Sequence, residues 1–150
     1  MPQSLSNVLV HLVFSTKDRH PYLTPEIRED LFPYAGGILR SLKCPLLQIG
    51  GVQDHVHLLF QLPRTMTLAK VVEEVKTGTS KWMKTKGSAF AGFSWQAGYA
   101  AFSVCASHSN DVIRYIQTQE EHHRKFSFQE ELRSLMREAG IEIDERYVWD

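Results

Sequence analysis

Residues 46–63 read LLQIGGVQDHVHLLFQLP, two apolar runs around a short glycine-containing link. The run after Gly50-Gly51 is apolar, rich in β-favouring residues and stopped by Pro63, which predicts a strand over 55–62. Residues 46–51 predict a second strand. The short Gly50-Gly51-Val52-Gln53-Asp54 link joins the two as a hairpin. On a strand, residues i and i+2 share a face, with Cα atoms about 6.6 Å apart. His55, His57, Leu59 and Gln61 therefore line one face. Val56, Leu58, Phe60 and Leu62 line the other, which reads as the core side. Two imidazoles placed side by side can converge on one metal ion. They can equally be two residues of a half-exposed sheet. A partner from elsewhere in the chain has to decide.

Upstream, Asn7 to Ser15 alternates as a strand, with Val8, Val10, Leu12 and Phe14 on one face and His11 on the other. Residues 17–21 (KDRHP) are a polar exit. Thr24-Pro25-Glu26 starts a helix: Thr as N-cap, Pro at the first helical position, an acid in the first turn. Ile27, Leu31, Tyr34, Ile38 and Leu42 follow at helical spacing. Pro33 predicts a kink or break, Gly36-Gly37 weakens the helix, and Pro45 closes it.

Downstream, Thr67 caps a second helix with Leu68, Val71, Val72 and Val75 inside, running toward Trp82 and Met83 although Gly78 interrupts it. Residues 87–98 are a loop, and 99–106 (YAAFSVCA) a fourth strand. Ser109 or Asn110 caps a third helix from Asp111 to about His123. Ser127-x-x-Glu130 has capping-box spacing and opens a last helix to about Arg137, with Gly140 beyond its end. The order β-α-β-β-α-β-α-α predicts an α+β, ferredoxin-like (RRM-like) antiparallel sheet with helices on one face and extra C-terminal helices. His55 and His57 are expected on the open face.

At 150 residues the chain is read as one domain, residues 1–150, able to bury a core. No apolar run reaches membrane-span length, and no signal-peptide pattern opens the chain, so a cytoplasmic protein is expected. Two distant cysteines, Cys44 and Cys105, suggest neither a disulfide framework nor a CxxC site. Net charge is zero, but its distribution is uneven. Residues 64–86 hold six Lys/Arg against two acids, and residues 111–150 hold six against ten. Such polarity suits a polyanion on one side; it also suits a merely solvated helix face.

On the third helix, Tyr115 and Gln119 stand four residues apart on one face, while Val112, Ile113 and Ile116 form the apolar stripe. A His pair with a helical Tyr and Gln resembles the single-tyrosine HUH transposases of bacterial and archaeal insertion sequences. The resemblance covers nearly the whole chain. VLVHLVFSTKDR is similar to the family's first strand and basic exit, and QIGGVQDHVHLLFQLP to its metal-binding hairpin. VEEVKTGTSKWM is similar to its second helix, FSWQAGYAAFSV to its fourth-strand segment, and VIRYIQTQEEHH to its nucleophile helix.

The resemblance implies a DNA transposase that cleaves and rejoins hairpin-bearing single-stranded DNA through a 5′-phosphotyrosine intermediate. Tyr115 would be the nucleophile. His55, His57 and Gln119 would ligate Mg²⁺ or Mn²⁺, although imidazoles by themselves suit zinc equally. The chemistry has a physical rationale. A phosphotyrosine ester conserves the energy of the broken phosphodiester. Forming a phenolate at pH 7 costs about 4 kcal/mol from a reference pKa near 10, which a metal on the phosphate can offset.

Lys76, Lys81 and Lys84 on the second helix, and more weakly Lys17 and Arg19, are candidate phosphate contacts; Trp82 and Trp95 are candidate stacking platforms. His11, His20, His108, His122 and His123 are read as structural or exposed. The resemblance also implies a homodimer with Tyr115 acting in trans. Two alternatives compete: a domesticated hairpin-DNA-binding protein without transposition activity, and a metal-dependent hydrolase of a small phosphate compound.

Overall fold

The computed structural model of the chain describes residues 2–150. Strands β1 (Val8–Ser15), β2 (Leu46–Gly51), β3 (His55–Leu62) and β4 (Ala100–Val104) form one antiparallel sheet in the order β2-β3-β1-β4. Helices α1 (Pro25–Ser41) and α2 (Leu68–Met83) complete the ferredoxin-like α+β arrangement, and α3 (Ser109–Gln117), α4 (Gln119–His122) and α5 (Phe128–Glu138) follow as extra C-terminal helices. Three caps are those expected: the Thr24 and Thr67 side chains accept from Ile27 N and Lys70 N, and Ser127 and Glu130 close a full capping box. Helix α3 instead starts at Ser109 itself with no side-chain cap, not after a Ser109 or Asn110 cap.

Strand alternation divides the apolar residues between two layers. Val10, Leu12 and Phe14 of β1 join Val56, Leu58 and Phe60 of β3 under α1 and α2 in the main core. The opposite face is not open, contrary to expectation. There Leu9 and Leu59 pack on Ile116 of α3, and Val13 and Ala100 pack on Phe128 and Leu132 of α5. The C-terminal helices thus roof the face that carries His55 and His57.

Three local expectations change. Pro33 does not interrupt α1; it lies on the exposed side together with Glu29, whose carbonyl loses its helical partner where water can replace it. The buried stripe of α1 is Ile27, Leu31, Ala35 and Leu39, while Tyr34 turns outward and stacks on Trp82 at 5.3 Å. Gly78 is no interruption of α2 either. A Cβ there would lie 2.6 Å from Ile38 Cδ1, so the glycine lets α1 and α2 approach.

Gly50 has the same role on the other face. It pairs with His57, and a Cβ on it would lie 2.6 Å from the Ile116 carbonyl oxygen. Gly50→Val should therefore lift α3 from the sheet. We expect a cost of roughly 1–3 kcal/mol, read as a lowered melting temperature with weakened DNA cleavage. An unchanged melting temperature would refute this close docking.

Candidate active site

The third helix is shorter than its sequence predicts. It ends at Gln117, Thr118 takes φ −102° and ψ 21°, and α4 resumes at Gln119. The Thr118 hydroxyl bonds back to the carbonyls of Arg114 and Tyr115, at 3.1 and 3.2 Å. Such side-chain competition for helical acceptors favours a break. The break turns Gln119 inward, leaving it 1% exposed.

His55 and His57 are wholly buried beneath this segment. Their partners come from four elements. Asp54, in the hairpin link, meets His55 Nδ1 at 2.7 Å. His11 of β1 meets His57 Nδ1 through Nε2 at 2.8 Å, a diagonal contact set by the β1–β3 register in which Val13 faces His57. Gln119 Oε1 lies 3.3 Å from His55 Nε2 and 3.0 Å from His123 Nε2. Glu131, in the first turn of α5, occupies the centre. Its Oε1 lies 2.9 Å from His57 Nε2, 3.3 Å from His55 Nε2 and 3.1 Å from His123 Nε2. Its Oε2 accepts from the Tyr115 hydroxyl and, at 3.1 Å, from Gln119 Nε2.

One donor atom from each of His55, His57, His123 and Glu131 falls within 4.8 Å of all the others, so these four residues could hold a metal ion. Imidazole and carboxylate together suit a divalent first-row ion.

Charge in this buried space is unevenly shared. Burial alone would raise the Glu131 pKa, but hydrogen bonds from His123, His55 and His57 outweigh it and keep the carboxylate ionised. Burial lowers the pKa of His57, which stays neutral. For His55 burial is outweighed by the Asp54 and Glu131 carboxylates, which leave its pKa raised. His11 is brought down to about 3, mainly by burial and then by its proximity to His57. Tyr115 is raised, first by burial and next by the negative charge of Glu131, so it rests as a neutral phenol.

Tyr115 is half-buried, its ring 5.7 Å from that of its own chain's His57. It borders a cleft of about 490 Å³ lined also by His122, Phe126, Arg133 and Arg137. The structure thus brings together Tyr115, Gln119, His55 and His57 within one chain. It adds His11, His123 and Glu131, and so corrects the reading of His11 and His123 as merely structural or exposed. The signal for His11 was its place on the His57 face once β1 and β3 pair. The signal for His123 was its place four residues after Gln119, the spacing that pairs Gln119 with Tyr115. No local pattern singled out Glu131, because α5 reaches the site only through Phe128 and Leu132.

The basic candidates separate. Lys76 is not a free phosphate contact: its Nζ donates to the carbonyls of Gln96 at 2.8 Å and Gly98 at 2.6 Å, and burial lowers its pKa to about 8. Lys81 and Lys84 are exposed, but on α2, across the sheet from the histidines. Arg19 lines a smaller cleft with Asp54, His123 and Ser127 at the edge of the cluster, and Lys17 is exposed nearby in the chain. Trp95 is a core residue, donating from Nε1 to Thr79 Oγ1 at 2.9 Å. Trp82 packs against Tyr34 on the α2 side.

Residues 4–119 match the family model described as IS200-like transposase. The chain belongs to this family. Two solved structures share the fold. A protein of Deinococcus radiodurans assigned as a transposase aligns with a TM-score of 0.62 at 22% identity, over 79% of this chain and 98% of its own. A REP-associated tyrosine transposase bound to a REP hairpin aligns at 0.61 and 13% identity, over 82% of this chain and 72% of its own. Among curated proteins no match was found. In this IS200-like chain the family match stops at Gln119, so His123 and Glu131 lie outside it. No helix among the described residues is long and apolar enough to cross a membrane.

Proposed function

We propose that this IS200-like transposase cleaves and rejoins hairpin-bearing single-stranded DNA, with Tyr115 as nucleophile. The observation that carries the reading is the convergence of Tyr115 with His55, His57 and Gln119 in one buried cluster that opens on a cleft. Tyr115 Oη forms a bond to the scissile phosphorus as the bond to the 3′ oxygen breaks, leaving a 5′-phosphotyrosine and a free 3′-hydroxyl. Attack by another 3′-hydroxyl reverses the step and joins the strands. A divalent ion held by His55 and His57 with Gln119, Mg²⁺ or Mn²⁺, would draw charge from the phosphate oxygens and offset the Glu131 charge that keeps Tyr115 protonated. Lys17 and Arg19, on the β1 exit beside the cluster, would meet phosphates of the bound strand. The whole chain acts as one catalytic unit, in the cytoplasm where chromosomal DNA is found.

Incubation with hairpin-bearing single-stranded DNA and Mn²⁺ should give a covalent protein–DNA band on a denaturing gel. Binding without that band would instead support a domesticated hairpin binder, the reading suited to a chain similar to a REP-hairpin-bound protein.

We propose further that the site works within one chain. The family resemblance implied a homodimer with Tyr115 in trans. That arrangement would require α3 to leave the sheet where Ile116, Val112 and Ile113 bury Leu9 and Leu59. Mixing His55→Ala/His57→Ala chains with Tyr115→Phe chains should restore no cleavage. Recovered cleavage, with DNA attached to the His-mutant chain, would establish the trans dimer.

A further inference from the structure

The orientation of the imidazoles goes beyond their proximity. His55 Nδ1 faces the Asp54 carboxylate at 2.7 Å, and His123 Nδ1 faces the Phe126 carbonyl at 2.7 Å. Both partners are acceptors, so each Nδ1 carries a proton and each ring turns its Nε2 inward, toward the cluster. A ring N–H held by a carboxylate or a carbonyl is the usual outer support of a metal-bound histidine. The two Nε2 atoms meet Glu131 Oε1 at 3.3 and 3.1 Å, and Gln119 Oε1 at 3.3 and 3.0 Å. The Gln119 amide cannot simply reverse, because its Nε2 donates to Glu131 Oε2 at 3.1 Å.

A buried carboxylate converging with ring nitrogens and an amide oxygen, the four metal-capable ligand atoms within 4.8 Å of one another, favours positive charge placed among these groups. One divalent cation satisfies all of them.

We propose that His123 and Glu131 are ligands of the ion that His55 and His57 bind, giving a site of three imidazoles and one carboxylate. Gln119 keeps its Oε1 beside the ion and is a positioning residue as well, its N–H holding the Glu131 carboxylate in place. The inference rests on the metal-dependent reading above and deepens it in two ways. A nitrogen-rich set selects an imidazole-accepting first-row ion over Mg²⁺, which prefers oxygen ligands and retained water. And because Glu131 belongs to α5, the ion fastens that helix to the sheet, although both added ligands lie beyond the segment matched by the family.

The test is Mn²⁺ binding to the full chain, followed by electron paramagnetic resonance, together with hydrogen exchange of residues 128–138. The unmodified protein should bind one Mn²⁺, hardly displaced by a hundredfold excess of Mg²⁺, and α5 exchange should slow on binding. Glu131→Gln, which keeps the side-chain volume, and His123→Ala should each weaken Mn²⁺ binding more than about tenfold, and Glu131→Gln should abolish the slowing. Circular dichroism of each variant without metal establishes that it is folded. Both variants binding within twofold of the unmodified protein, or α5 exchanging faster with Mn²⁺, would overturn the proposal while leaving a metal at His55, His57 and Gln119. No binding of Mn²⁺ or Mg²⁺ to the unmodified protein would overturn both.

Discussion

Tyr115→Phe should yield a folded protein that still binds hairpin DNA and forms no covalent adduct with it. The substitution keeps the ring, which lies 5.7 Å from that of His57 and 6.1 Å from that of His11. It removes one hydroxyl, whose observed partner is the Glu131 carboxylate. Glu131 retains the Gln119 amide and three imidazoles, so the carboxylate is not stranded. The loss of one hydrogen bond to a charged group costs about 1–3 kcal/mol of stability. The loss of the nucleophile should lower strand cleavage by more than about 10⁴-fold. The check is a denaturing gel for the adduct beside a native gel for binding. An adduct that persists would put the nucleophile elsewhere, with Tyr99, 41% exposed just before β4, the next candidate.

His57→Ala should have a different signature, because His57 has both a chemical and a structural role. The ring is wholly buried, bonded to His11 on one side and to Glu131 on the other. Its removal leaves a cavity and two buried polar partners with one contact fewer. We expect a loss of roughly 3 kcal/mol, or about 6–12 °C in melting temperature for a chain of this size. Cleavage should fall by at least about 10³-fold and should not recover in excess Mn²⁺. Chelation of the unmodified protein should suppress cleavage as fully without removing the side-chain packing. Cleavage that survives chelation would eliminate a metal role and leave His57 as a core residue.

The two experiments separate functions that the fold places close together. Tyr115 belongs to α3, which is tethered to β4 by a 3-10 turn at Ala106–His108 and held by Ile116 over Gly50. His57 belongs to β3, an inner strand of the sheet. A defect in α3 docking should therefore impair cleavage while the histidines remain in place. A defect at His57 should disturb the sheet face itself.

Much of this architecture follows from local sequence. Alternation along residues 8–15 and 55–62 assigned which side chains of β1 and β3 meet α1 and α2, because a strand has a period of two whatever surrounds it, although it left the opposite face open where the C-terminal helices in fact cover it. Thr24, Thr67 and Ser127 marked helix starts because a cap satisfies backbone donors only a few residues away. His55 and His57 were legible as a pair for the same reason, and Tyr115 with Gln119 through their four-residue spacing. The remaining features depend on contacts between residues distant in the chain. His11 reaches His57 through the β1–β3 register, 46 positions apart in the chain. Lys76 was charged and helical like Lys81 and Lys84, yet it caps the carbonyls of the 96–98 loop, which folding carries to it. Pro33 and Gly78, read locally as breaks, are accommodated by solvent at one and by close helix approach at the other. Glu131 had no local sign of function. It lies in an ordinary amphipathic first turn, and only the burial of Phe128 and Leu132 against Val13 and Ala100 carries its carboxylate among three imidazoles.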